Sequence, residues 1–256
     1  MAERGRPVLP WLVVTAFVAP LGALVVQALA DIWRAPALWP QHLGTRGLRY
    51  VFSGGAGVLP AVTNSLVVAL ASTVLAVVIA WPAARVLGEQ RLRRPAPVFL
   101  LLALPLLVPP YATGTGLTEW FLRLGLADTR LGLVLAHLVY VTPYVVLLLA
   151  PAFGERVNEL EEAARLLGAG ASRRLLLVTV PAVRPTLAAA ALVGFIVSWS
   201  QYGTSLAVGG GLPMLPLVLL PFVGTDPQVA ATLALLFLVP AGVALFASVR
   251  AARTSE

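Results

Sequence analysis

The sequence predicts an all-α, polytopic membrane protein of six transmembrane helices, with both termini on the cytoplasmic side. Three observations carry that expectation. Of the 256 residues 59% are hydrophobic and only 11% charged, with a mean hydropathy of +0.90. The apolar residues fall into blocks long enough to cross about 30 Å of hydrocarbon, which takes roughly 20 residues of helix. The blocks are near-continuous runs rather than dyad alternations, and in lipid that selects helices over a closed barrel.

The blocks lie at about 8–30, 62–86, 96–118, 131–153, 183–205 and 228–250. They use about half of the chain and leave no room for a soluble domain, so residues 1–256 are expected to form one membrane domain. Arg4 and Arg6 with Ala28-Leu29-Ala30 resemble a secretory leader, but this first apolar stretch is longer than a leader's core and is expected to stay as a span. Arginine placement orients the rest. Arg4, Arg6, Arg85, Arg91, Arg93, Arg94, Arg156, Arg165, Arg173, Arg174, Arg184, Arg250 and Arg253 fall on one side. Arg34, Arg46, Arg49, Arg123 and Arg130 fall on the other. The positive-inside rule makes the richer side cytoplasmic. The net charge of +7 is then a topology signal, and nucleic acid is not an expected partner.

The cytoplasmic loop at about 154–182 carries most of the chemical information. Asn158 is expected to cap a helix with Glu161 three positions on, and Glu159, Glu161 and Glu162 place negative charge on the positive end of its dipole. Leu160, Ala163, Ala164 and Leu167 share one face by helical spacing, and Glu161 can pair with Arg165. Gly168 is expected to end the helix after about ten residues, roughly 15 Å. Ser172 is then expected to cap a second short helix, with Pro181 and Pro185 resetting the chain for the fifth span. The same composition would also suit an amphipathic helix resting on lipid head groups, or a solvated linker.

Two absences narrow the chemistry. Without cysteine there are no disulfides, thiolate metal sites or thiol nucleophiles. All eighteen basic residues are arginine, so the chain lacks the lysine of a phosphate-cradling nucleotide loop and any lysine Schiff base. No cofactor, metal site or catalytic group is therefore expected on this chain.

Glu162-Ala163-Ala164, Gly168, Val178 and Val180-Pro181 resemble the EAA loop of the permease subunits of binding-protein-dependent ABC importers. That pattern is EAA, three residues, G, nine residues, then I-x-LP; here Val178 replaces Ile and Val180 replaces Leu. The likeness to the MetI-like, type I fold extends over about 60–250. Thr63-Asn64-Ser65-Leu66 opens the second span, Pro105, Pro109, Pro110, Gly114 and Gly116 mark the third, and Thr142-Pro143-Tyr144 the fourth. Residues Ser198-Trp199-Ser200-Gln201-Tyr202-Gly203 and Gly209-Gly210-Gly211 are similar to the branch serving polyamines, thiamine and ferric iron. The first 60 residues match nothing specific.

The resemblance implies a transmembrane subunit that forms half of a solute pathway in a bacterial or archaeal plasma membrane. Its implied partners are a cytoplasmic ABC ATPase dimer that binds the ATP, a second permease subunit, identical or homologous, an extracytoplasmic solute-binding protein, and membrane lipid. Glu162, Ala163, Ala164 and Gly168, flanked by Leu160 and Arg165, are the implied ATPase-coupling residues. Candidates for the translocation pathway are Ser198, Trp199, Gln201 and Tyr202, with His137 expected to be a packing residue, since polar groups within spans face a bundle interior or a wet route. The segment 206–226 is a candidate for docking the binding protein. A secondary transporter or channel subunit is the competing class, but no Asp or Glu falls inside a span except at an edge, which removes the usual ion-coupling groups.

Overall fold

A computed structural model describes residues 8–90 and 92–253; Arg4, Arg6 and Arg91 of the topology argument lie outside them. Within the single domain expected over 1–256, contacts group into two compact units, Met1–Leu59 with Leu215–Pro240 and Pro60–Met214 with Ala241–Glu256.

The first unit contains α1 (Val8–Ala28), a small antiparallel hairpin β1 (Ala30–Ile32) and β2 (His42–Leu43), α2 (Arg46–Phe52), α11 (Leu215–Thr225) and the start of α12 (Pro227–Arg253). Asp226 caps α12 by accepting from the Val229 N–H at 3.3 Å, and the Arg46 guanidinium meets it with two bonds of 2.6 and 2.9 Å. A carboxylate there also suits the positive end of the helix dipole. The buried Gln228 amide donates to Asp31 Oδ1 at 2.8 Å and to the Gly44 carbonyl at 3.2 Å. Trp33 donates to the Ala37 carbonyl at 2.9 Å, and Tyr50 packs edge-on to Phe222.

In the second unit α3 (Val58–Gly88) and α6 (Arg130–Leu149) form the core with the fifth span. Ala76, Ala80 and Ala84 recur every four residues, a stripe of small side chains that lets α6 approach through Val141, Val145 and Leu149. α6 is the most covered of the long apolar helices: its spanning window is 61% buried, against 17–33% for the others. Thr129 caps it, accepting from the Gly132 N–H at 3.0 Å.

Among the described residues, four helices are long and apolar enough to cross a bilayer: Val58–Gly88, Arg130–Ala152, Ala171–Trp199 and Pro227–Ala247. The third expected span is broken instead of straight. It divides into α4 (Pro95–Leu107) and α5 (Pro110–Arg123), bent by 94°. Pro109 and Pro110 remove two N–H donors and force Val108 and Pro109 into extended backbone, ψ 131° and 134°. Counting the pair as one span gives five, and α1 is the remaining apolar block; the expected six are met at spanning length only to that extent.

The fifth span also differs from expectation. It starts at α8 (Ala171–Arg174), continues through a π-helical turn (Leu175–Thr179) and runs on as α9 (Val180–Trp199). Gly170, and not Ser172, precedes its first turn, so the second helix of the loop is the foot of the span itself. The wide π turn sits just before Pro181, where the missing N–H and the ring would otherwise disturb an α-helical turn. At its far end the helix stops at Ser200 and restarts as α10 (Tyr202–Val208), inside the stretch expected to be one span. α11 was expected as external loop; its eleven residues reach about 16 Å, too short to span.

Candidate functional site

The EAA segment folds as α7 (Glu155–Leu166). It begins one turn before the expected start, with Gly154 at its N-cap, so Asn158 lies inside the helix and does not cap it. Glu155 supplies the acidic group in the first turn. The C-terminus follows the expectation: Gly168 sits at φ +82°, its N–H donates to the Arg165 carbonyl at 3.0 Å, and the Ala169 N–H donates to the Ala164 carbonyl at 3.0 Å. Those two bonds make a Schellman cap, which needs a left-handed residue at the position of Gly168. Arg174 closes the elbow by donating to the Ala169 carbonyl at 3.0 Å.

The helix sorts its side chains differently from the expected face. Val157 is buried, and Glu161 and Ala164 are partly covered; the three lie at helical spacing on the side turned to the protein. Leu160, Glu162, Ala163, Arg165, Leu166 and Leu167 are exposed, the last two at 82% and 89%. Ala164 therefore leaves the outer face, and Leu166 joins it. Glu162 and Arg165 pair at 3.0 Å in the open. The expected Glu161–Arg165 pair is not formed, because Glu161 is engaged inward by Arg85 of α3 and by the buried hydroxyl of Thr179 in the π turn.

Burial by itself would raise the Glu161 carboxyl; the hydrogen bonds from Thr179 and Arg85, with the charges of Arg85 and Arg174, outweigh it and hold the group below the usual carboxylate range. Arg85 also donates to Glu89 at 2.6 Å. Together Arg85, Asn158, Glu161, Glu162, Arg165 and Arg174 line a polar cavity of about 320 Å³ beside the helix. Glu161 was missed as a site residue, although its four-residue spacing from Val157 puts it on the covered face.

The residues named for the pathway gather at the second helix break. Ser198 is buried and donates to Nδ1 of His137 at 2.9 Å. The Ser205 hydroxyl donates to the Gln201 carbonyl, so its oxygen is left to accept from His137 Nε2 at 3.2 Å. That fixes the imidazole as the Nε2–H tautomer and joins α6, α9 and α10. Trp199 is buried and stacked on Phe195 at 5.9 Å, and Gln201 is buried with its carbonyl arm near Thr204 at 3.3 Å. Tyr202 is half-buried and Ser200 exposed.

The two helix breaks meet. Thr204 donates to the Pro110 carbonyl at 3.4 Å, Tyr140 donates to the Val108 carbonyl at 3.0 Å, and Thr118 lies 2.9 Å from the Ala207 carbonyl. Backbone carbonyls freed by the breaks are thus satisfied by protein, as spanning structure requires. α10 crosses α5 closely: a Cβ at Gly114 would lie 2.6 Å from Ala207 Cβ, and one at Gly203 would lie 2.8 Å from the Tyr111 nitrogen. Gly209 to Gly211 form a turn, with the Gly211 N–H donating to Asp128 at 2.9 Å. Among the described residues no group of three or more His, Asp or Glu side chains is placed to hold a metal ion.

Comparison with known proteins matches this architecture. Residues 95–253 match the family described as the inner membrane component of binding-protein-dependent transport systems. A putative ABC transporter permease of Streptomyces antibioticus is 32% identical over 200 residues, 73% of this chain and 82% of that protein. The molybdenum transport system permease ModB of Azotobacter vinelandii is 35% identical over 169 residues, 60% of this chain and 74% of the relative. A solved bacterial ABC transporter that imports the acidic polysaccharide alginate shares the fold at a TM-score of 0.69 and 16% identity, covering 98% of this chain and 99% of that one. The MetNI methionine transporter, solved in inward facing conformations, has a TM-score of 0.61 at 19% identity, covering 77% and 95%. With its broken third span, long fifth span and EAA elbow, the chain belongs to the binding-protein-dependent transport system inner membrane components, the MetI-like permease subunits of ABC importers.

Proposed function

We propose that the chain forms half of a solute pathway in a bacterial or archaeal plasma membrane and is driven by a separate ABC ATPase dimer seated on α7. A single observation carries the reading: a helix closed by a Schellman cap, whose outer face sets exposed Leu160, Ala163, Leu166 and Leu167 beside the Glu162–Arg165 pair. Exposed leucines at such density suit insertion into a partner's groove, and Glu162, Ala163 and Gly168 shape that joint while Ala164 backs it. ATP is bound and hydrolysed on the partner, and no cofactor is held here. A second permease subunit completes the pathway, and an extracytoplasmic binding protein supplies the solute.

The pathway wall is proposed at the meeting of the two helix breaks, with Tyr202 and Ser200 facing it and Ser198, Trp199 and Gln201 shaping it from behind. For the solute we favour a small inorganic oxyanion. Relatives named for molybdenum transport, from Azotobacter vinelandii and Mycobacterium tuberculosis, and for sulfate transport, from Nephroselmis olivacea, are 32–35% identical. The polyamine, thiamine and ferric-iron reading rests on residues 198–211 alone.

The test is reconstitution with the cognate ATPase and binding protein in proteoliposomes. ATP-dependent uptake is expected, with molybdate or sulfate competing better than spermidine, thiamine or ferric iron. Replacing Ala163 by Glu, which puts a charge on the outer face, should remove ATPase capture and uptake while insertion persists. Uptake that runs without ATPase, on an ion gradient, would refute the reading in favour of a secondary transporter.

A further inference from the structure

We propose that Glu161, the residue before the EAA triplet, is a positioning residue that locks α7 to two spans at once, so that motion of the coupling helix reaches both α3 and the fifth span. The inference rests on the reading of α7 as the ATPase joint and adds to it the way the motion leaves that helix.

The geometry sets Glu161 apart from its neighbours. Its two carboxylate oxygens serve different elements: Oε2 accepts from the Arg85 guanidinium near the end of α3, and Oε1 accepts from the Thr179 hydroxyl in the π turn. Its side chain is only 13% exposed and Thr179 is fully buried. The apolar contact of α7 with the core is Val157, which packs in the cluster of Ala84, Leu87, Phe153 and Val183. Val157 is one turn from Glu161, so the two form one attachment stripe.

A charge-assisted pair partly covered by protein is directional, whereas Val157 alone would let α7 roll. π turns inside α-helices are frequent at functional sites, and this one places Thr179 against α7 directly below the rest of the span. Glu162, the first residue of the EAA triplet, is exposed and pairs with Arg165. Adjacent acidic residues thus divide the work: Glu162 faces outward to the partner, and Glu161 faces inward to the spans.

The variants Glu161→Ala and Thr179→Val test this, with Thr179→Ser as the conservative rescue. Arg85 keeps Glu89 in both, so no guanidinium is stranded and the fold is expected to survive. In proteoliposomes with the ATPase and binding protein, capture of the ATPase and its hydrolysis should stay within about twofold of the unmodified complex. Solute moved per ATP should fall by about fivefold or more in Glu161→Ala and Thr179→Val, the range in which coupling between sites is usually measured. Thr179→Ser should restore it.

Unchanged solute per ATP in Glu161→Ala and Thr179→Val overturns the lock while leaving the permease reading intact. Parallel loss of capture, hydrolysis and uptake with lowered thermal stability also overturns it, since the residues then only hold the fold. If the unmodified complex shows no ATP-driven uptake, the permease reading falls and the lock with it.

Discussion

Gly168 offers the sharpest perturbation of the elbow. A Cβ there would meet nothing within 4 Å, so the first atom of a side chain has room. What a side chain changes is the backbone, because φ is +82° and the Schellman cap depends on it. A left-handed residue with a Cβ costs about 1–2 kcal/mol, more when β-branched. Abandoning that conformation instead forfeits two cap hydrogen bonds, each worth about 1 kcal/mol. Either way Gly168→Val loses about 2 kcal/mol or more of preference for the observed elbow, roughly thirtyfold in its population against frayed alternatives. Asn tolerates the left-handed region and should lose far less. The assay is ATP-dependent uptake beside ATPase capture, in membranes with equal insertion. Uptake should fall to about a tenth or less for Val, stay above about half for Asn, and lie between for Ala. Equal uptake for Val and Asn would refute the reasoning, because it would mean that the elbow's conformation is not used.

Other expectations follow from the packing. Gly114→Val should destabilise the protein in detergent by about 1–3 kcal/mol through overpacking against Ala207 and Thr204, whereas Gly116→Ala, which meets nothing within 4 Å, should not; thermal unfolding of the two compares them directly. His137→Leu should cost about 1–3 kcal/mol by stranding the buried Ser198 hydroxyl, and the added Ser198→Ala change should recover part of it, read by the same melts. Asp226 is held below its ordinary value of 3.8 by the hydrogen bond from Arg46, with burial opposing. Its contribution is therefore present above that ordinary value and lost as pH falls through the lower native one. Below pH about 4 the melting temperature should drop less in Asp226→Asn than in the unmodified protein.

Much of this architecture was legible in the chain because composition and spacing act locally. Apolar block length marked the long helices, and Gly168 the end of α7. What was not legible depends on which side chains meet across the fold. Pro109 and Pro110 were visible, but whether two prolines kink a span or break it depends on partners for the freed carbonyls, and those are Tyr140 and Thr204, far along the sequence. Asn158 looked like a cap because nothing local showed that Gly154 would start the helix a turn earlier.

Glu161 invited pairing with Arg165 at helical spacing. Only the approach of α3 and the π turn gives it better partners in Arg85 and Thr179. The pathway candidates show the same limit. Ser198, Trp199 and Gln201 read as a polar cluster near the end of a span, yet the fold spends them on His137, Phe195 and Thr204. Only Ser200 and Tyr202 remain accessible to any degree.

The chain's lack of cysteine makes the central claim directly measurable. A single cysteine replacing exposed Ala163, labelled with a cleavable photo-crosslinker in membranes that carry the whole transporter, should capture the ATPase subunit. A cysteine replacing exposed Leu43, in the hairpin on the side expected to be external, should capture none. Capture through position 163 alone is what a coupling role for α7 predicts. Absence of capture there, in membranes that still take up solute on ATP, would contradict it.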